Sequence, residues 1–293
     1  MKSNNYTNIN VKLKNKIMKR TSLLIAVSLL VFGSVMTSCK KDEVTDPMVS
    51  VMQDDDQTAE LYDESLKEVD DVTLSSAPQK SSANFAYQSN SGSGTRTVET
   101  TFSGDTTIKT ITFTNFINGN NENGHVKNGV IIVKIIGNQL QETFKRIILL
   151  QNFTIDDILI EGKKEVIKTG NYTYSVALTG GKVTFTDGTT YTREFTRTRT
   201  WAEGYDTPYY IWDDIFTIEG EATGVNRKGN VYTHTITSPL VIKNACRWIV
   251  QGTIELTADD KTAVLDYGNG DCDNYATMTI NGEVKEIRLR GRR

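Results

Sequence analysis

From about Thr97 onward the chain is one short β-run after another, and this rhythm constrains the fold more than any other feature. The runs are rich in Thr, Val, Ile, Tyr and Phe, with Gly, Asn and Asp between them. Such side chains suit a pleated, half-buried surface, and the residues between them suit turns. Helical spacing is hard to find there. Proline, which would interrupt a ladder, falls only at Pro208 and Pro239, near turns. Asp187-Gly188 and Asn281-Gly282 read as type I′ hairpins, whose central residues must both tolerate positive φ. Gly180-Gly181 in LTGGKV reads as a further turn between two strands. The expected fold over residues 96–293 is all-β. It is an antiparallel meander of many hairpins, arranged as an elongated twisted sheet or as a two-layer sandwich.

The phase of the alternation says what is buried. In CRWIVQGTIEL one face carries Cys246, Trp248, Val250, Ile254 and Leu256, the pattern of a half-buried antiparallel strand. TTYTREFTRTRTW differs. One face reads Tyr191, Arg193, Phe195, Arg197, Arg199, Trp201 and the other is mostly Thr, so neither is a clean core face. FTNFING (113–119) and LQNFTID (150–156) share an Asn-Phe pair after an apolar strand, which reads as strand-turn chemistry because no fixed period continues it.

The N-terminus carries a different signal. Lys12, Lys14, Lys16, Lys19 and Arg20 precede an apolar run from Leu23 to Val35, which has signal-peptide length. MTSC then resembles a bacterial lipobox, with Met36 where Leu is usual, and TSCKKDE resembles the starts of Bacteroidota lipoproteins. The resemblance implies cleavage before Cys39 and diacylation of its sulfur. Residues 1–38 are then a lipoprotein signal peptide, with Met18 an alternative start. Residues 39–95 read as an acidic, flexible tether, holding twelve acids against Lys40, Lys41, Lys67 and Lys80. Within the tether, TAELYDESLKEV could form a short helix with Leu61, Leu66 and Val69 on one side, marginal alone. The chain's formal net charge is −3. Once the basic leader and acidic tether are set aside, residues 96–293 are close to neutral, which argues against a nucleic-acid partner. Cys246 and Cys272, the two cysteines beyond Cys39, suit a disulfide in an oxidising compartment.

Enzyme signatures are scarce. There is no GxSxG elbow, HExxH or glycine-rich phosphate loop, and His125 and His234 are the only histidines. Asn269, Asp271 and Asp273 alternate like the first ligands of a calcium loop. The sixth loop position is Asn274 and the twelfth Ile280, so a hairpin turn is the better reading and no metal or cofactor is expected. The stretch TWAEGYDTPYYIWDD (200–214) stands out. It sets Trp201, Tyr205, Tyr209, Tyr210 and Trp212 among Glu203, Asp206, Asp213 and Asp214, just after Arg197 and Arg199. Flat aromatic faces beside hydrogen-bond acceptors suit a sugar ring, and arginine can add anion or stacking contacts. The structural alternative has Trp201 and Trp212 covering the end of the sheet and Pro208 setting a turn.

RTRTW (197–201), the GYDTP that follows, ATGVNRKGNVYT (222–233), SPLVIKNACRWIVQG (238–252) and LDYGNGDCDNYATMTINGE (265–283) resemble a group of uncharacterised Bacteroidota outer-membrane lipoproteins. The resemblance implies an all-β lipoprotein and carries no established activity and no catalytic residue. With the acidic run after Cys39, it leads to an expected place on the outer membrane, anchored in its lipid and facing the cell surface; attachment facing the periplasm is the alternative. The expected function is a non-catalytic binding module, with a glycan as the ligand class. A protein-interaction role through sheet edges is the alternative, and a carboxylate-dependent hydrolase the third reading.

Overall fold

The computed structural model describes residues 47–74, 85–89, 92–118, 124–138, 141–207 and 210–289. The leader, Cys39, Pro208 and Tyr209 lie outside the described residues. Among the described residues one α-helix, α1 (Pro47–Leu74), precedes fourteen strands. These are β1 (Phe85–Ser89), β2 (Gly92–Ser103), β3 (Thr106–Asn118), β4 (Lys127–Ile136), β5 (Lys145–Ile155), β6 (Ile158–Gly170) and β7 (Thr173–Thr184), then β8 (Thr190–Glu203), β9 (Ile215–Val225), β10 (Val231–Lys243), β11 (Ile249–Ala258), β12 (Lys261–Asn269), β13 (Tyr275–Ile280) and β14 (Glu283–Arg288). They form a single antiparallel sheet whose order is the chain order. Each strand pairs with its sequence neighbours, so the sheet is an all-β meander, a twisted single sheet and not a sandwich. Among the described residues β1 and β14 share no ladder, and the sheet is not closed.

Three of its tightest turns have both central residues at positive φ: Asp156-Asp157, Asp259-Asp260 and Asn281-Gly282. The expected Asn281-Gly282 hairpin joins β13 to β14, with Ile280 paired to Glu283. Asp187-Gly188 is different from the expectation, because only Gly188 has positive φ. There the wider loop Phe185–Thr189 is closed by Phe185 N–H to Thr189 O at 2.9 Å, and the Asp187 carboxylate caps the backbone N–H of Thr189. Gly180-Gly181 is no turn at all. It lies inside β7 as a break in register against β8, where a Cβ on Gly181 would sit 2.3 Å from the Arg193 carbonyl oxygen.

The largest departure from the sequence reading is α1. Residues 47–74, expected as acidic tether, form a 28-residue helix built into the core. Met48, Val51, Met52, Leu61, Tyr62, Val69 and Val72 are buried in one cluster with Val98 of β2, Ile111 of β3, Ile131 of β4, Ile148 of β5, Ile254 of β11 and Met278 of β13. Strands from nearly the whole sheet thus reach one helix, and the sheet curls around it. Among the described residues no helix is long and apolar enough to cross a membrane.

The acids of α1 explain why a charged helix can be buried. Asp55 pairs with Arg193 of β8 at 2.6 Å and accepts a hydrogen bond from Tyr191 Oη at 2.8 Å. Glu68 meets Arg96 of β2 at 2.8 Å and Lys127 of β4 at 2.5 Å, and Asp70 meets Arg146 of β5 at 2.7 Å. Burial by itself would raise the Asp55 pKa, but the charges of Arg193 and His234 hold it well below the carboxylate range. The face of β8 that looked mixed in the sequence is therefore a core face. Arg193 points at the helix, and it and Tyr191 are almost inaccessible.

Candidate functional site

The aromatic loop joins β8 to β9 and has an internal frame and an outer face. Trp201 closes β8 and is 4% exposed. Its indole N–H donates to Asp214 Oδ1 at 2.9 Å and its ring stacks on Phe216 at 5.8 Å. Burial raises the Asp214 pKa. Asn244, in the β10–β11 connection, donates through Nδ2 to the Ile211 carbonyl at 3.0 Å and to Asp214 Oδ2 at 3.2 Å. Thr207 Oγ1 donates to Asp213 Oδ2 at 2.7 Å. Gly204 has φ +83°, and a Cβ there would lie 2.5 Å from Asp214 Oδ1, so the loop closes on itself only through glycine.

What the frame presents is aromatic. Tyr205, Tyr210 and Trp212 are 39%, 59% and 60% exposed. Tyr205 stacks on Tyr172 of the β6–β7 turn, with ring centroids 4.2 Å apart. Trp212 rides on a single 3-10 turn, Ile211–Asp213. Glu203, Asp206 and Asp213 are exposed beside these rings in sequence. The expected site residues thus divide. Trp201 and Asp214 brace the loop, while Tyr205, Tyr210, Trp212, Glu203, Asp206 and Asp213 face solvent. Arg197 and Arg199 lie on the inner face of β8, over the rings of Phe195 at 4.8 Å and Phe216 at 3.7 Å. Tyr172 and Asn244 belong to the site and were not found from the sequence. Each sits in a different turn, and nothing local couples either to the loop.

The neighbouring connections are tied together. Cys246 and Cys272 form a disulfide, Cα–Cα 5.8 Å, between the β10–β11 and β12–β13 connections. Lys243 Nζ donates to the Gly270 carbonyl across the same gap at 2.8 Å. In an antiparallel meander these connections and the aromatic loop share one end of the sheet, so the disulfide stiffens the turn that holds Asn244. Asp273 Oδ1 accepts the Tyr275 backbone N–H at 3.0 Å, a turn-capping use of a carboxylate. Among the described residues no group of three or more His, Cys, Asp or Glu is arranged to hold a metal ion.

The histidines are elsewhere. His125 contacts the Asp156 carboxylate, near the turns at the opposite end of the sheet. His234 of β10 is buried, with Nδ1 3.0 Å from Asp55 Oδ2 and 3.2 Å from Arg193 Nη2. Beside an ionised Asp55, Nδ1 must carry the proton, so it donates to the carboxylate and the arginine contact is not a hydrogen bond. Nε2 is left buried without a partner. Comparison with known proteins finds no matching family model, no matching curated protein and no matching solved structure.

Proposed function

We propose that this protein is a lipid-anchored, non-catalytic binding module of the outer membrane, and that its recognition surface is the aromatic loop, with a glycan as the ligand class. The observation that supports it is the exposure of Tyr205, Tyr210 and Trp212 on a loop braced from within by the Trp201–Asp214 and Thr207–Asp213 hydrogen bonds. Large rings held in water by a rigid frame present contact area at little ordering cost, and their faces suit the C–H face of a sugar. Exposed Glu203, Asp206 and Asp213 supply acceptors for hydroxyl groups. The anchor in this proposal rests on the lipobox resemblance at Cys39. A hydrolase is less well supported, because Asp214 is taken up by Trp201 and Asn244, and Asp213 by Thr207. The sheet-edge reading is also weaker. β14 is exposed, but it carries Glu283, Lys285, Glu286 and Arg288, the charges that blunt an edge against pairing.

The test is a polysaccharide binding panel on a chain that retains α1, with a Tyr210→Ala/Trp212→Ala double variant beside it. We expect the wild type to bind at least one glycan and the variant to bind it at least tenfold more weakly. The thermal midpoint of the variant should be unchanged, since neither ring is buried. A wild type that binds no glycan, or a variant that binds equally well, would remove the proposal.

A further inference from the structure

Between the helix and the inner faces of β5 to β8 lies a group of cations that α1 neutralises only in part. Arg197 is the clearest. Its guanidinium stacks on Phe195, but Nε and Nη2 are buried with no hydrogen-bond partner. Arg146 spends Nη1 on Asp70, and its Nε is likewise buried and unsatisfied. Lys164 of β6 has no hydrogen bond or ion pair among the described residues. The register places the three on one face. Arg197 pairs across to Val176 and Val176 to Val166, while Arg146 also pairs to Val166 and Lys164 stands two residues from it. Side chains two residues apart on a strand share a face, so all three enter the same concave space.

Unsatisfied buried donors are few in native proteins, and each calls for a partner. Leaving a buried guanidinium without a counter-charge is among the costlier arrangements a fold can hold. Burial and the nearby Arg193 push the Arg197 pKa down to about 10. Burial, with Arg146 and Arg199 nearby, pushes Lys164 down to about 8 although Asp63 opposes it. Arg197 and Lys164 thus meet no carboxylate of the helix, in contrast to Arg193 and Lys127, each of which pairs with at least one. We propose that Arg197, with Arg146 and Lys164, forms an oxyanion-binding site inside the curl of the sheet. A guanidinium fork matches carboxylate and phosphate geometry, and lysine adds a point charge. The small cavity beside Lys164, about 10 Å³, holds about one water and not an anion. In the proposed site the anion therefore lies outside this cavity, reached from the side where Lys164 and Arg197 are each partly exposed.

The test is isothermal titration of the full chain with inorganic phosphate, repeated with a short-chain phosphatidic acid to separate free phosphate from a lipid headgroup. Saturable binding of either supports the site, and competition between them tells which source fits. Arg197→Met should weaken binding at least tenfold and abolish any phosphate-dependent rise in melting temperature, while the phosphate-free midpoint does not fall. Arg197→Lys keeps the charge without the fork and should bind with intermediate affinity, which guards against a folding failure of the first variant. Arg247→Met, at an exposed position in a connection, should bind as the wild type does. No saturable binding of phosphate or phosphatidic acid, or binding indifferent to both Arg197 variants, would overturn the proposal.

Discussion

At the scale of single residues, the Asn-Phe pairs that looked like an accident of strand-turn chemistry are two copies of one device. Asn115 and Asn152 both adopt positive φ, at 46° and 48°. Each stands opposite a glycine of the preceding strand: a Cβ on Gly94 would lie 2.0 Å from the Asn115 carbonyl oxygen, and one on Gly129 2.1 Å from that of Asn152. The ladder slips a register at both places. The slip changes the phase, so buried Ile111 and Phe113 are followed by buried Phe116, and Ile148 by Phe153. Bulges of this kind increase local twist, which is what a sheet curling around a helix needs. The pair was legible and its purpose was not, because the matching glycine lies on another strand. Asp55 makes the same point energetically. Asp55→Asn leaves the Arg193 side chain, 3% exposed, without its counter-charge, and should cost about 3–5 kcal/mol in urea denaturation. Glu283→Gln on exposed β14 should stay within about 0.5 kcal/mol. Acid should act in two steps. Burial, with the positive charges of Arg193 and Arg197 nearby, lowers the folded pKa of His234, although Asp55 opposes it. Its contribution is therefore present above the unfolded value of about 6.5 and is lost as pH falls below it. Asp55, also lowered, adds a second loss below about pH 4. A stability-against-pH profile should show both, and His234→Asn should erase the first.

At the scale of elements, strands were easier to read than the helix because their test is local. β11 repeats the expected alternation, with Val250, Ile254 and Leu256 all buried. The buried stripe of α1 is equally regular, running through positions 48, 51, 52, 55, 58, 61, 62, 65, 68, 69 and 72. Four of these are Asp55, Thr58, Ser65 and Glu68, and a search for apolar periodicity sees only the remainder. The partners of Asp55 and Glu68 lie on β2, β4, β8 and β10, far away in sequence. The same long-range pairing hid the inner face of β8. The aromatic loop was half legible: its composition marked it, but which rings brace and which face water depends on Asn244 and Tyr172. The disulfide, expected from cysteine count, closes a separation of 26 residues. Loop-closure entropy gives it about 3–4 kcal/mol. Reduction should lower the denaturation midpoint accordingly and loosen the turn carrying Asn244. If the aromatic loop binds a glycan, affinity should fall on reduction in the same titration.

At the scale of the whole molecule, helix and sheet are one folding unit. A twisted antiparallel sheet needs something to cover its inner face, and among the described residues no second sheet does so. α1 covers it, and in turn has no reason to be a helix alone: its apolar stripe is interrupted and its acids repel one another. The two halves are matched in charge as well as shape, with Arg96, Lys127 and Arg193 on the sheet opposite Glu68, Glu64 and Asp55 on the helix. A chain beginning at residue 85 would therefore expose Ile111, Ile131, Ile148 and Ile254 together with three unpaired cations. We expect it to lose the cooperative melt of the intact protein and to bind a hydrophobic dye, as a collapsed state without fixed packing does. A peptide of residues 47–74 added in trans should restore a sharp transition, with a midpoint that rises with peptide concentration because binding is then linked to folding. Asp55→Asn in that peptide should blunt the rescue. A truncated sheet that melts cooperatively at the intact midpoint, indifferent to the peptide, would instead make α1 an accessory laid on a self-sufficient fold.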